Sequence, residues 1–424
     1  MAAADAREVG RTVEAVWRME SARIVGALAR MLRDVGVAEE LAQDAMLQAL
    51  ESWPADGLPE RPGAWLMQVA KHRALDHLRH RALHAGKEGQ IAWEFDELLR
   101  DGQRQPDELA ELAREGLGDD VLRLMFVACH PVLSGEARAA LTLKLVGGLS
   151  SAEIARAFLV PEATVAQRIV RAKRTLAEAR VPFEVPRGEQ LHARLASVLQ
   201  VIYLIFNEGY SASAGADWLR PGLCREALRL GRVLAGLMPQ EGEVHGLVAL
   251  MEIQSSRERA RVGPDGAPVL LMDQDRSRWD RLLIGRGLAA LEQAARCGAF
   301  GPYALQAAIA ACHARALRAQ DTDWTRIAAL YDALAALQPS PVVELNRAVA
   351  VSMAYGPAEG LRLVDALCGE AALRDYHLLP SVRGDLLAKL GRNPEARAEF
   401  ERAAALTRNE REQALLLARA RACG

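Results

Sequence analysis

Between Leu149 and Leu176 the chain reads LSSAEIARAFLVPEATVAQRIVRAKRTL, two short helical periods separated by a proline. Leu149, Ile154, Ala155 and Phe158 fall on one face of the first period, and Val165, Ile169 and Ala172 on one face of the second. Ser150 or Ser151 suits the first N-cap, and Glu153 follows at the positive end of the helix dipole. The run breaks at Leu159–Pro161, and Pro161 suits the start of a new helix, where its missing N–H is not needed. Two short helices, each with one apolar face, must bury those faces against each other and a neighbour. The spacing therefore predicts a helix-turn-helix. From Thr164 to Arg174 there are four cations and no acid. A major groove accepts one helix; Gln and Arg read base edges while further cations neutralise phosphates. A solvated basic helix on a core hairpin is the plainer alternative. The short turn, the small Ala155 and the polar start of the second helix favour DNA.

At 424 residues the chain exceeds one compact core, which predicts several domains. Aromatics supply only 5% of residues, while Ala, Leu and Arg recur, a mixture that favours helix over sheet. We expect an all-α protein. The net charge of −2 neither suggests nor excludes nucleic acid, so local charge decides. Cys129, Cys224, Cys297, Cys312, Cys368 and Cys423 form no C-x-x-C pair, and Cys129–His130 and Cys312–His313 are not zinc spacings. They are expected to be reduced thiols, with no metal and no cofactor. MAAADAREVG has no signal-peptide character, and the apolar run near Val198–Phe206 is far short of the roughly 20 residues a membrane span needs. A cytoplasmic protein without membrane contact is expected.

Helical periodicity covers residues 8–82. An acidic, glycine-interrupted stretch follows at 83–118, read as a linker. The helix-turn-helix segment spans 119–185 and closes at VPFEVPRG, where Pro182 and Pro186 break the helix. A long helical series fills 189–424. In the first segment, AWLMQVAKHRALDHLRHRA (Ala64–Ala82) joins Trp65 to Lys71, Arg73, Arg79 and Arg81 on one helix. An aromatic beside a cationic surface suits single-stranded DNA, because a base stacks on the ring while cations follow the backbone. Trp65 as a plain core residue is equally consistent with the pattern.

Together, DVGVAEELAQDAMLQALESWP (Asp34–Pro54), PGAWLMQVAKHRALDHLR and the helix-turn-helix resemble the extracytoplasmic-function sigma factors of bacterial RNA polymerase. The resemblance implies a sigma-2 domain, a linker and a sigma-4 domain. Their implied partners are the clamp coiled coil and flap of core polymerase, and promoter DNA. Carried over, Glu39, Glu40, Leu41, Gln43 and Asp44 would face core polymerase. Trp65, Lys71, Arg73, Asp76, Arg79 and Arg81 would sit at the −10 element. Thr164, Val165, Gln167, Arg168, Arg171, Lys173 and Arg174 would serve the −35 groove. Met46 stands where many members carry an aromatic. A linker of roughly 37 residues at about 3.3 Å each reaches on the order of 120 Å. Two turns of duplex between the elements span roughly 70 Å, so the tether suffices.

Beyond residue 190 the resemblance narrows to sigma factors with a C-terminal tetratricopeptide-like extension, on VIYLIFNEGYSAS, VLLMDQDRSRWD, GPYALQAAIAACHA and SPVVELNRAVAV. The implied role is regulation or support of sigma activity through a protein or peptide partner. The residues carry one repeat signature of their own: Ala396, Phe400 and Ala403 give A-x3-F-x2-A, and Pro357 and Pro394 recur near the 34-residue tetratricopeptide period. Asp273, Asp275 and Asp280 lack the glycine and glutamate of a calcium loop. Asn207, Glu208 and Tyr210 have no nucleophile–base pair beside them and are expected to tie helices together. No phosphate loop or nucleophile pair points to an enzyme. The weaker alternatives are a DNA-binding regulator that never engages polymerase and a scaffold dominated by its C-terminal half.

Overall fold

A computed structural model describes residues 2–85 and 120–424, apart from positions 159, 213, 216, 217, 265 and 299. The acidic stretch read as a linker lies outside the described residues. The chain divides into two compact units, Met1–Val201 and Ile202–Gly424.

The first unit opens with α1 (Ala2–Leu32), α2 (Val35–Asp56) and α3 (Pro62–Ala85). Asp34 starts α2 by accepting from the N–H groups of Gly36 and Val37 at 2.8 and 3.1 Å. The three helices share a core that includes Ile24, Leu28, Ala42, Ala49, Trp53, Leu66 and Ala74. Helix α4 covers residues 120–128, followed by α5 (Gly135–Leu145), α6 (Ser151–Phe158) and α7 (Glu162–Glu178). Ser150 is the cap of α6: its Oγ accepts from the Glu153 N–H while the Glu153 carboxylate accepts from the Ser150 N–H, a reciprocal capping box. Ile154 and Ala155 pack under Val165, Ile169, Ala172 and Leu176, as the apolar spacing required.

Helix α8 (Glu189–Tyr210) crosses from one unit into the next. Its first half is tied into the first unit: Arg194 donates to the Phe126 carbonyl at 2.8 Å and Ser197 to the Cys129 carbonyl at 2.6 Å.

The second unit continues through α9 (Pro221–Leu237), α10 (Gly242–Ser255), α11 (Arg281–Arg296) and α12 (Pro302–Arg315). It completes with α13 (Trp324–Leu337), α14 (Pro341–Tyr355), α15 (Pro357–Leu367), α16 (Leu378–Lys389), α17 (Asn393–Leu406) and α18 (Glu410–Ala422). Pro357 and Pro394 both sit in the first turn of their helices, where proline costs no hydrogen bond. Ala396, Phe400 and Ala403 are buried. Phe400 lies against Gly384 so closely that a Cβ there would meet the ring at 3.0 Å. Two two-residue strands, β1 (Ala214–Gly215) and β2 (Arg408–Asn409), pair in parallel and join the start of this unit to its last helices.

The segment 269–280 is anchored by the buried Gln274, Arg276 and Trp279, with exposed residues between them. Trp279 is buried, Asp280 caps α11 through Leu282 and Leu283, and Asp275 caps a short turn through Ser277. The buried Arg276 donates to the carbonyls of His313 and Ala316 and to the Thr322 hydroxyl. Arg261 lies over Tyr210 at 3.5 Å and Trp218 at 4.5 Å, and Glu208 pairs with Arg220.

Candidate nucleic-acid interface

The second basic helix, α7, is built so that one stripe faces its hairpin and the opposite stripe faces solvent. Thr164, Gln167, Arg171 and Arg174 are exposed on that outer stripe. Arg171 makes no ion pair among the described residues, and Arg174 reaches only Glu178 at 3.4 Å, both ends well solvated. The other expected groove residues are placed differently. Val165 lies in the hairpin core at 1% exposure, so it faces inward instead of toward a groove. Arg168 is held by Glu136 at 2.5 Å. Lys173 pairs with Glu39 of α2.

On α3 the cationic face is open. Lys71, Asp76, Arg79 and Arg81 are exposed, with Arg79 next to Asp76 at 3.0 Å. Arg73 is half-buried and turned toward α2, at 3.1 Å from the Gln48 amide oxygen and 3.5 Å from Asp44. Trp65 is half-buried; its ring meets the buried Trp53 edge-on at 5.4 Å. One side of the indole is thus fixed by packing and the remainder is accessible.

Among the residues expected at core polymerase, Glu40 is exposed and Leu41, Gln43 and Asp44 are half-buried. Glu39 is 5% exposed: its carboxylate is enclosed by Lys173, by Lys144 at 3.5 Å and by the Gln43 amide. Other pairs join the same two parts of the unit, Arg18 to Glu153 and Arg30 to the buried Asp120 at 3.3 Å. Gly26 lets α1 approach the backbone of Asp120; a Cβ at that position would stand 3.0 Å from its carbonyl oxygen. Burial alone would raise the Glu153 carboxyl, but the Ser150 hydrogen bonds and the Arg18 guanidinium hold it below the usual carboxylate range. Lys144, Asp120 and Glu153 take part in this arrangement, and no local sequence pattern marks them as doing so.

No group of three or more His, Cys, Asp or Glu side chains arranged to hold a metal occurs among the described residues. Burial pushes the Cys129 thiol up to about 11 and the Cys224 thiol up to about 12, which disfavours the thiolate of each. No helix of the described residues is long and apolar enough to cross a membrane.

Comparison with known proteins bears on these two helices directly. Residues 17–83 match the family described as sigma-70 region 2, and residues 123–176 match sigma-70 region 4. ECF RNA polymerase sigma factor SigK of Mycobacterium ulcerans is 30% identical over 157 residues, covering 36% of this chain and 78% of that protein. The chain belongs to the ECF RNA polymerase sigma factors. A second relative, the probable ECF sigma factor SigI of Mycobacterium tuberculosis, is 29% identical over 41% of this chain and 57% of its own length. Similarity extends over nearly the whole sigma factor in "Uncharacterized protein R00370" of Rhizobium meliloti, 47% identical over 92% of this chain and 91% of that protein. Residues 194–295 match a family of unknown function (DUF6596). No solved structure matches. Helix α3 thus lies in region 2 and helix α7 in region 4 of a sigma factor.

Proposed function

We propose that this sigma factor binds core RNA polymerase through α2, opens the −10 element on α3 and holds the −35 element in the groove side of α7. The observation that carries the proposal is the pair of open cationic helix faces, one on each sigma module. Lys71, Arg79 and Arg81 serve the −10 region with Trp65 as the stacking ring; Arg73 and Asp76 complete that face. Thr164, Gln167, Arg171 and Arg174 read and anchor the −35 groove. Glu40, Leu41, Gln43 and Asp44 form the accessible part of the polymerase-docking surface. Melting needs no catalysis: trapping unstacked bases on α3 favours the opened strand by differential binding.

The two promoter elements stand roughly 70 Å apart, while Glu39 and Lys173 are in direct contact. Promoter engagement therefore requires the modules to separate, which frees Glu39, Lys144 and Lys173 for polymerase or phosphate. The second unit acts as a tetratricopeptide-like extension that regulates or supports initiation by holding a protein or peptide segment. Its proline-opened helices α15 and α17 and the buried Ala396, Phe400 and Ala403 support that assignment. The work takes place in the cytoplasm with polymerase.

The test is transcription by core polymerase with and without the full chain on a library of promoter fragments. Specific transcripts that depend on the chain are expected. Binding to DNA with no such transcripts would make it a regulator and end this proposal.

A further inference from the structure

Val170 is the one feature of α7 that neither the hairpin nor the phosphate backbone explains. It is 64% exposed on a helix whose other branched aliphatic residues, Val165, Ile169 and Leu176, are buried. It stands on the outer stripe with Ala163, Ala166, Gln167, Arg171 and Arg174, all exposed. A single exposed apolar residue is ordinary on a protein surface. This one sits in the middle of the cationic stripe, one turn after Gln167 and immediately before Arg171, which makes no ion pair among the described residues.

The alanines at 163 and 166 let the helix backbone come close to a groove floor. Such an approach brings base edges to the next side chains out. A glutamine amide such as that of Gln167 pairs with adenine N6 and N7 in the major groove, and Val170 offers only methyl groups. The single apolar feature of the major groove is the thymine C5-methyl. Three residues of helix advance about 4.5 Å, close to the roughly 3.4 Å rise of one base pair. Neighbouring base pairs are therefore read by neighbouring turns.

We propose that Val170 is a specificity-determining residue, packing on the C5-methyl of a thymine next to the base pair read by Gln167. The proposal rests on α7 being the −35 helix. It adds that this sigma factor selects T at one position by the methyl group, not by a hydrogen bond.

The experiment uses holoenzyme assembled from the full chain and core polymerase. Duplexes randomised across the −35 region are selected for binding, and each thymine of the selected site is replaced in turn by deoxyuridine. One such replacement is expected to weaken binding by about fourfold, the value of one buried methyl. Val170→Ser should bind the thymine duplex about as weakly as the wild type binds the deoxyuridine one and should show no further loss on deoxyuridine. Val170→Thr, which keeps one methyl, should recover part of the discrimination. An unchanged deoxyuridine penalty in Val170→Ser, or no penalty at any thymine, overturns the assignment while leaving the −35 role of α7 standing. If no duplex is enriched at all, the −35 reading itself fails.

Discussion

Glu39 on α2 and Lys173 on α7, 134 positions apart, form an ion pair that closes the sigma-2 helices onto the sigma-4 helix-turn-helix. The carboxylate side chain is 7% exposed and shares Lys144 as a second partner. Removing one partner of such a pair leaves the others buried without compensation, a loss that runs to about 3–5 kcal/mol. Here the lysines can escape by separating the modules instead. Glu39→Gln should therefore speed amide exchange across α1 near Gly26 while leaving the hairpin of α6 and α7 folded. Unchanged exchange would mean the contact contributes little. Gly26→Ala should loosen the same face by a steric route.

Arg171 and Arg168 give opposite expectations despite their identical chemistry. Arg171 makes no ion pair among the described residues, so Arg171→Ala should lower promoter affinity and reduce the salt slope by about 1. Arg168 is already held by Glu136. Arg168→Ala should change the slope by less than half as much in the same titration.

Trp65→Ala should slow strand opening more than it weakens initial binding. Base stacking on an aromatic is worth about 1–3 kcal/mol, so a loss of at least fivefold in opening is expected by permanganate footprinting. Trp65→Phe keeps a ring beside Trp53 and should restore most of it.

His313 supplies a pH dependence in the second unit. Burial, reinforced by Arg257 and Arg276, lowers its pKa to about 3. The unfolded chain takes up this proton near pH 6.5 while the folded one does not until about 3. Stability from this group is therefore complete above about 6.5 and lost as pH falls toward 3, by at most ~1.4 kcal/mol per pH unit. Thermal melting between pH 7 and pH 5 should show the decline, and His313→Gln should flatten it.

Asn409 carries two jobs on one amide. Its oxygen accepts from the N–H groups of Arg411 and Glu412, capping α18, and its nitrogen donates to the Ala212 carbonyl. Asn409→Ala removes both and should cost about 2 kcal/mol, read as faster exchange in α18 and around residue 212.

What the sequence made legible was local. Ile154, Val165 and Ile169 announced their hairpin because helical periodicity is a short-range property, and the same periodicity isolates the outer stripe where Val170 sits. Asp275 and Asp280 lack the spacing of a calcium loop, and their capping of two helical turns is likewise local. The surroundings of Glu39 could not be read in this way. Its neighbours Glu40 and Asp44 look equivalent along the chain, and only the fold brings Lys144 and Lys173 around it. Arg168 likewise resembles Arg171 until Glu136 is placed beside it. Val165 carried two incompatible expectations, core and groove, and burial decides for core.

The β1–β2 pairing has a thermodynamic consequence. An open row of helix pairs melts from its tips inward, because each outermost member has one neighbour instead of two. In the second unit Ala214 and Gly215 are paired with Arg408 and Asn409, the segment that leads into the last helix, so its first residues are tied to its last. The pairing links the first residues of that unit to the segment between α17 and α18 directly in space, over a separation of nearly the whole unit in sequence.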